Sequence, residues 1–193
     1  MSAVVVLAGG KSRRMGRDKL SMVYDGRTLL ESAVQRFKSE FSDVYISVSD
    51  EGKYPNIDAQ RIVDIIPGVG PLSGLHAALK TIKNDSVFLV AADLPFADPL
   101  AAKRIIALGS GFEACVIKLP DGNVEPLFGY YARTLLPLCE ELIASGDNRM
   151  TGIYVGTNTR FVSPSELGDA WDDKMIININ YPKDYEAIRD VKL

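Results

Sequence analysis

Residues 8 to 19 read Ala8-Gly9-Gly10-Lys11-Ser12-Arg13-Arg14-Met15-Gly16-Arg17-Asp18-Lys19 and directly follow an apolar run, Val4-Val5-Val6-Leu7. Paired glycines let a backbone approach a ligand closely, and exposed N–H groups in such a turn grip phosphate oxygens. Lys11, Arg13, Arg14, Arg17 and Lys19 would neutralise a polyanion, the arginines through two-pronged contacts. A solvated basic loop has the same composition, and it is the order of strand, glycines and cations that favours phosphate. A second chemical position is Asp93, where the run Val87-Phe88-Leu89-Val90-Ala91 breaks into Asp93-Leu94-Pro95-Phe96. A carboxylate there suits a magnesium ion bridging to phosphates, because hard cations take oxygen ligands and leave part of their shell to the substrate. A helix cap or turn residue is the plainer alternative. Lys19 is suited to neutralise charge developing on a transferring phosphoryl group, where loss of an electrostatic stabiliser costs about 2.7–4 kcal/mol.

Three further segments carry weaker signals. Pro67-Gly68-Val69-Gly70-Pro71-Leu72-Ser73-Gly74 has the composition of a rigid loop, either a base or ribose pocket or a tight strand-to-helix connection. Asn178-Ile179-Asn180 would place two amides on one side of a strand end, to read a heterocycle, hold a phosphate or close a turn. Arg149 offers a cation to an anionic second substrate, with a surface salt bridge as the ordinary alternative. His76, the single histidine, receives no catalytic role, since phosphoryl transfer to an ionised phosphate needs positioning and charge stabilisation more than a base.

The elements that must hold these residues follow from periodicity. Strands are expected at Val4–Leu7, Val44–Val48, Arg61–Ile65 and Val87–Ala91, the last central in the sheet. Helices are expected over Thr28–Lys38, after Pro71, and over Leu100, Ile105 and Leu108. Later come strands at Ala114–Lys118 and Val124–Ala132, a helix over Leu135 to Ile143 ending at Gly146, short strands at Arg160–Val162 and Met175–Asn178, and a last helix from Pro182. This rhythm predicts an α/β fold: one domain over 1–193, a mostly parallel sheet covered by helices on both faces in a three-layer α/β/α arrangement. Residues 1–100 would form a nucleotide-binding half and 101–193 an acceptor-binding half. Ligands of open parallel sheets sit outside the carboxyl ends of the strands, where the glycine loop, Asp64 and Asp93 all fall.

With 193 residues, 47% hydrophobic and 24% charged, the composition is that of an ordinary globular protein. The net charge of −3 argues against a nucleic-acid partner and makes any anion site local. Cys115 and Cys139 show neither metal-ligand spacing nor a disulfide pattern, which fits a reducing compartment. With no basic leader and no long apolar run, a cytoplasmic protein without membrane attachment is expected.

On these motifs the sequence resembles the molybdenum cofactor guanylyltransferase family, Rossmann-like nucleotidyltransferases with a glycosyltransferase-A-type fold. Leu7 to Gly16 and then Asp18-Lys19 resemble its signature. Asp64, Gly70-Pro71-Leu72-Ser73-Gly74, Asp93-Leu94-Pro95-Phe96, Glu125-Pro126-Leu127-Phe128 and Asn178 to Asp184 continue it over nearly the whole chain. The resemblance implies transfer of GMP from GTP to the phosphate of molybdopterin carrying molybdenum, with magnesium required and pyrophosphate released. It implies Leu7, Ala8 and Gly9 on the guanine and ribose side, Lys19 on the phosphates, Asp64 near the nucleoside and Asp93 on magnesium. Gly10, Gly70 and Ser49 complete the nucleotide set, and Arg14 joins Lys19 and Asp93 as catalytic. Arg149, Asn178 and Asn180 would serve the acceptor, with molybdoenzymes or cofactor carriers as partners. Ser49 stands where the family often has asparagine, and Tyr181 where it usually has threonine. Gly9 favours guanine, since cytidylyltransferase relatives show Leu-Ala-Ala-Gly at this turn. The alternatives are another small guanylyl- or cytidylyltransferase acting on a cobamide precursor, a phospholactate or a sugar phosphate, and a GTP-binding protein without catalysis.

Overall fold

In strand β1 (Ala3–Leu7) side chains alternate between two apolar layers: Val4 and Val6 pack into one, Ala3, Val5 and Leu7 into the other. Both faces of this strand are therefore covered, and all five residues are buried. The computed structural model describes residues 2–9, 18–24, 26–179 and 184. After a two-stranded ribbon, β2 (Val23–Tyr24) and β3 (Arg27–Thr28), the chain alternates strand and helix. It runs through α1 (Leu29–Lys38), β4 (Val44–Val48), β5 (Gln60–Val63), α2 (Pro71–Thr81), β6 (Ser86–Ala91) and α3 (Pro99–Leu108). The remainder comprises β7 (Ala114–Lys118), β8 (Val124–Ala132), α4 (Leu136–Ser145), β9 (Thr159–Val162) and the short α5 (Pro164–Leu167).

Seven strands share one sheet in the order β5-β4-β1-β6-β8-β7-β9, with β6 in the middle as its apolar sequence predicts. The strands β5, β4, β1 and β6 are mutually parallel, β8 runs against both neighbours, and β9 is parallel to β7. Phe37 of α1 and Ile105 of α3 cover one face; Leu75 of α2 and Cys139 of α4 cover the other. This is the expected three-layer, mostly parallel α/β architecture. From β1 the chain steps outward to β4 and β5, then returns to β6 on the other side of β1. That reversal opens a crevice at the carboxyl ends of β1 and β6.

Local chemistry sets the helix ends. The Glu31 amide donates to Thr28 Oγ1 at 3.1 Å while the Thr28 amide donates to Glu31 Oε2 at 2.7 Å, a reciprocal cap on α1. Asp98 caps α3 through the Leu100 amide at 2.7 Å, with Pro99 in the first turn. Gly146 stops α4 at φ 81°, a left-handed conformation that favours glycine.

Two expectations need correction. The third strand is Gln60–Val63, so Ile65 lies beyond the ladder and is exposed. Met175–Asn178 is not a strand: Asp173–Ile176 forms a 3-10 turn, because the Asp172 carboxylate caps the Lys174 amide at 2.9 Å and draws the backbone out of an extended path. The alternation of Met175, Ile177 and Ile179 mimics a strand there. The helix expected from Pro182 lies outside the described residues. Among those residues no helix is long and apolar enough to cross a membrane. Cys115 and Cys139 are free and buried in opposite layers, and burial pushes both thiols up to about 12.

Candidate active site

The crevice begins where β1 ends. The Ala8 amide donates to Ser47 O at 2.9 Å and the Ala92 amide to Leu7 O at 3.1 Å, so the sheet bonding runs past the strand ends on both sides. Ala8 is buried and Gly9 exposed; among the described residues nothing lies within 4 Å of where a Gly9 Cβ would be. The chain re-enters at Asp18, whose carboxylate caps a 3-10 turn over Lys19–Ser21 through the Leu20 amide at 3.1 Å. From that turn Lys19 Nζ donates to Asp93 Oδ2 at 2.5 Å and to the Ile179 carbonyl at 2.9 Å. The Ile179 amide in turn donates to the Asp93 carbonyl at 3.1 Å. Three segments distant in sequence thus meet at one cation. Ile179, fully buried against Leu29 and the partly buried Phe96, anchors the third of them.

The side chains of Lys19 and Asp93 are 17% and 18% exposed, so the ion pair is largely shielded from water yet still reachable from the crevice. Glu125 adds a second carboxylate. It sits on β8 where the antiparallel register with β6, Val90 opposite Phe128, points toward Asp93. A bulge separates the pairings Val116–Gly129 and Ile117–Glu125, and such an irregularity re-aims side chains. Burial raises the proton affinity of Glu125, the Leu127 amide on Oε1 at 2.8 Å opposes that rise, and the charge of Asp93 adds to it. Sequence reasoning assigned Glu125 no role. The available signal was a carboxylate next to Pro126 in a strand that is otherwise apolar and aromatic.

On the other side of β1, the Asp64 amide donates to Val48 O at 2.9 Å, setting Asp64 just past β5. Half-burial lifts its carboxyl above the usual range, against the opposing effects of Ser73, Ser47 and Lys53. Gly70, at φ 70°, begins α2. Gly74 then lets that helix press onto the sheet: a Cβ there would lie 2.5 Å from Leu7 Cδ2 and 2.6 Å from Ser47 Oγ. Leu7, Asp64 and Gly70 therefore border the same crevice end, together with buried Ser47, which sequence reasoning also passed over. Its neighbour Ser49 is exposed one residue beyond β4.

The remaining candidates divide. Asn178 adjoins Ile179 and donates from Nδ2 to the Ile176 carbonyl at 3.4 Å. Arg149 forks onto Asp147, Nε to Oδ1 and Nη2 to Oδ2 both at 2.9 Å, and holds that carboxyl down to about 2. At 79% side-chain exposure this is a surface pair. Gly10, Arg14 and Asn180 lie outside the described residues. His76 is buried on α2 with its Nε2 3.5 Å from Glu140 Oε1, and among the described residues neither ring nitrogen makes a hydrogen bond.

The donor set of Asp93 and Glu125 is oxygen only, suited to a hard divalent cation that borrows the rest of its shell from phosphates. Among the described residues no group of three His, Cys, Asp or Glu could hold a metal alone.

Residues 4–158 match the model of the MobA-like NTP transferase domain. A protein of Aquifex aeolicus named a probable molybdenum cofactor guanylyltransferase is 31% identical over 95% of this chain and 88% of its own length. One of the same name from Geobacillus is 27% identical over 96% of this chain and 97% of its own. Among solved structures, molybdopterin-guanine dinucleotide biosynthesis protein A from Archaeoglobus fulgidus superposes with a TM-score of 0.86 at 26% identity, covering 98% of this chain and 97% of that one.

Proposed function

The chain belongs to the MobA-like NTP transferase family, and from that premise we propose that it transfers GMP from GTP to the phosphate of molybdopterin carrying molybdenum. The observation that carries the chemistry is the meeting of Lys19, Asp93 and the Ile179 backbone at the sheet's carboxyl edge. The names of the relatives supply the substrates.

In this reading Leu7, Ala8, Gly9, Asp64 and Gly70 take the nucleoside, and Ser49 borders it. The ammonium of Lys19 faces the triphosphate, whose binding Gly10 and Arg14 share. A phosphate oxygen of the acceptor attacks the α-phosphorus; the new P–O bond forms as the bond to the β-phosphate bridging oxygen breaks, and pyrophosphate leaves with that electron pair. The attacking phosphate is already ionised, so no proton has to be removed. Repulsion between two anions is then the main obstacle, and Lys19 offsets it in a site partly withdrawn from water. Asp93 and Glu125 would hold a divalent cation, magnesium, which supplies further charge neutralisation on the phosphates. Asn178 and Asn180 serve the acceptor, and Arg149 joins them by exchanging its surface partner Asp147 for the acceptor's anionic group, with 1–100 given to the nucleotide and 101–193 to the second substrate within one domain. A cytoplasmic setting and delivery to molybdoenzymes or cofactor carriers belong to the same proposal.

Calorimetry with magnesium and a panel of nucleotides tests the donor, and pyrophosphate release with molybdenum-loaded molybdopterin tests the acceptor. Tight GTP binding, weak CTP binding and release only with that acceptor are expected. Preference for CTP, or equal release with a sugar phosphate, refutes the assignment.

A further inference from the structure

Tyr54 is the one non-glycine residue among those described whose φ lies in the left-handed range, at 53°. L residues rarely adopt this conformation, and it persists where the surroundings over-determine it. Here the agent is Arg61 of β5. Its Nη2 donates to the Tyr54 carbonyl at 2.6 Å and to the Ile57 carbonyl at 3.4 Å, and its Nε to the Lys53 carbonyl at 3.3 Å. One guanidinium therefore gathers three carbonyls of the loop between β4 and β5 and fixes its shape.

That shape has a directed result. The Tyr54 ring is half-buried against the core, and its hydroxyl donates to Asp18 Oδ2 at 2.7 Å across 36 residues of sequence. The same carboxylate oxygen accepts from Ser21 Oγ at 3.3 Å, while Oδ1 accepts from the Leu20 amide at 3.1 Å. Asp18 thus holds the turn that carries Lys19, and Tyr54 bonds to Asp18. The contact is made beside a cavity of about 310 Å³ lined by Asp18, Ser21, Lys53, Tyr54 and Asn56, so the hydroxyl acts as a strut at the edge of a gap rather than as core packing.

We propose that Tyr54 is a positioning residue that acts through Asp18 to fix the backbone of Lys19, so that the ammonium stands at Asp93 and the substrate phosphates. The strained loop conformation and its Arg61 clasp maintain that strut. The inference rests on the reading of Lys19 as the phosphate-facing cation. Lys19 has several rotatable bonds between its backbone and its charge, so a loosened turn spreads the ammonium over many positions. A misplacement of about 1 Å can cost on the order of 100-fold in rate, and partial loosening correspondingly less.

The test uses the full chain with magnesium, GTP and molybdenum-loaded molybdopterin, reading pyrophosphate release and melting temperature. Tyr54→Phe keeps the ring and deletes only the hydroxyl. It should lower kcat by roughly tenfold and change KM for GTP by less than about twofold, because the cation acts chiefly in the transition state. Asp18→Ala should cost at least as much, and Tyr54→Phe should add nothing in that background. A Tyr54→Phe enzyme with wild-type kcat overturns the proposal, as does a drop of the same size added on top of Asp18→Ala. Lys19→Met separates the two levels. If it is inactive while Tyr54→Phe is normal, the strut is refuted and the Lys19 reading stands; if Lys19→Met turns over normally, both fall.

Discussion

Replacing Asp93 with asparagine removes one charge from the centre of the site while leaving its shape. The backbone carbonyl that accepts the Ile179 amide at 3.1 Å is untouched, so the junction of the three segments survives. Two unit charges 2.5 Å apart attract by about 7 kcal/mol at an effective dielectric constant of about 20. Most of that is offset by the cost of taking both groups out of water. Breaking a fully buried pair costs about 3–5 kcal/mol. With 17% and 18% exposure, water can partly resolvate Lys19, and we expect a loss nearer 1–3 kcal/mol. That leaves a folded protein, given domain stabilities of about 5–15 kcal/mol. Turnover should suffer more: loss of a preorganised electrostatic group costs on the order of 100- to 1,000-fold. The assay is the initial rate of pyrophosphate release at saturating GTP over a magnesium series, with melting curves on the same samples. A rate within about threefold of wild type at every magnesium concentration refutes the role of Asp93. So does a loss that disappears on cooling, since it would report unfolding rather than chemistry.

Two further predictions follow from the nucleoside side. The Asp64 carboxyl is raised chiefly by burial, so its contribution to stability is fully present below the ordinary carboxylate range and is lost as pH rises through the folded value. Asp64→Asn should therefore melt above wild type at pH 7 and converge with it near pH 4, while binding GTP more weakly; parallel melting curves across that range refute the argument. Gly74→Ala places a methyl 2.5 Å from Leu7 Cδ2 and should cost about 1–3 kcal/mol in chemical denaturation and weaken GTP binding. Unchanged denaturation midpoint and affinity would show that the α2 contact yields without consequence.

Much of this was readable in the sequence because it depends on local signals. The apolar runs of β1 and β6 and Gly146 at the end of α4 each carry their own geometry in a few residues. Asp93 was legible because a carboxylate terminates an apolar strand. What escaped depends on pairing between distant segments. Glu125 comes within electrostatic reach of Asp93 only when β8 docks antiparallel beside β6, and no spacing within β8 announces that. Ser47 looked like any strand residue until Gly74 brought α2 down onto it. Met175 to Asn178 misled because alternation alone cannot register the Asp172 cap that bends the backbone into a turn. Tyr54 sits in a loop with no periodicity, and its contact with Asp18 spans 36 residues of sequence.

The bond from Lys19 to the Ile179 carbonyl spans 160 residues, and this has a consequence for the order of events as the chain is made. Strands β5, β4, β1 and β6 can associate once residue 91 has emerged, since their pairings lie within that stretch. The cation, however, lacks the Ile179 carbonyl until residue 179 has left the ribosome. A nascent chain therefore has its central scaffold well before it has a finished reaction centre, and competence arrives late, on closure of a long-range loop whose entropic cost the earlier-formed sheet has already reduced.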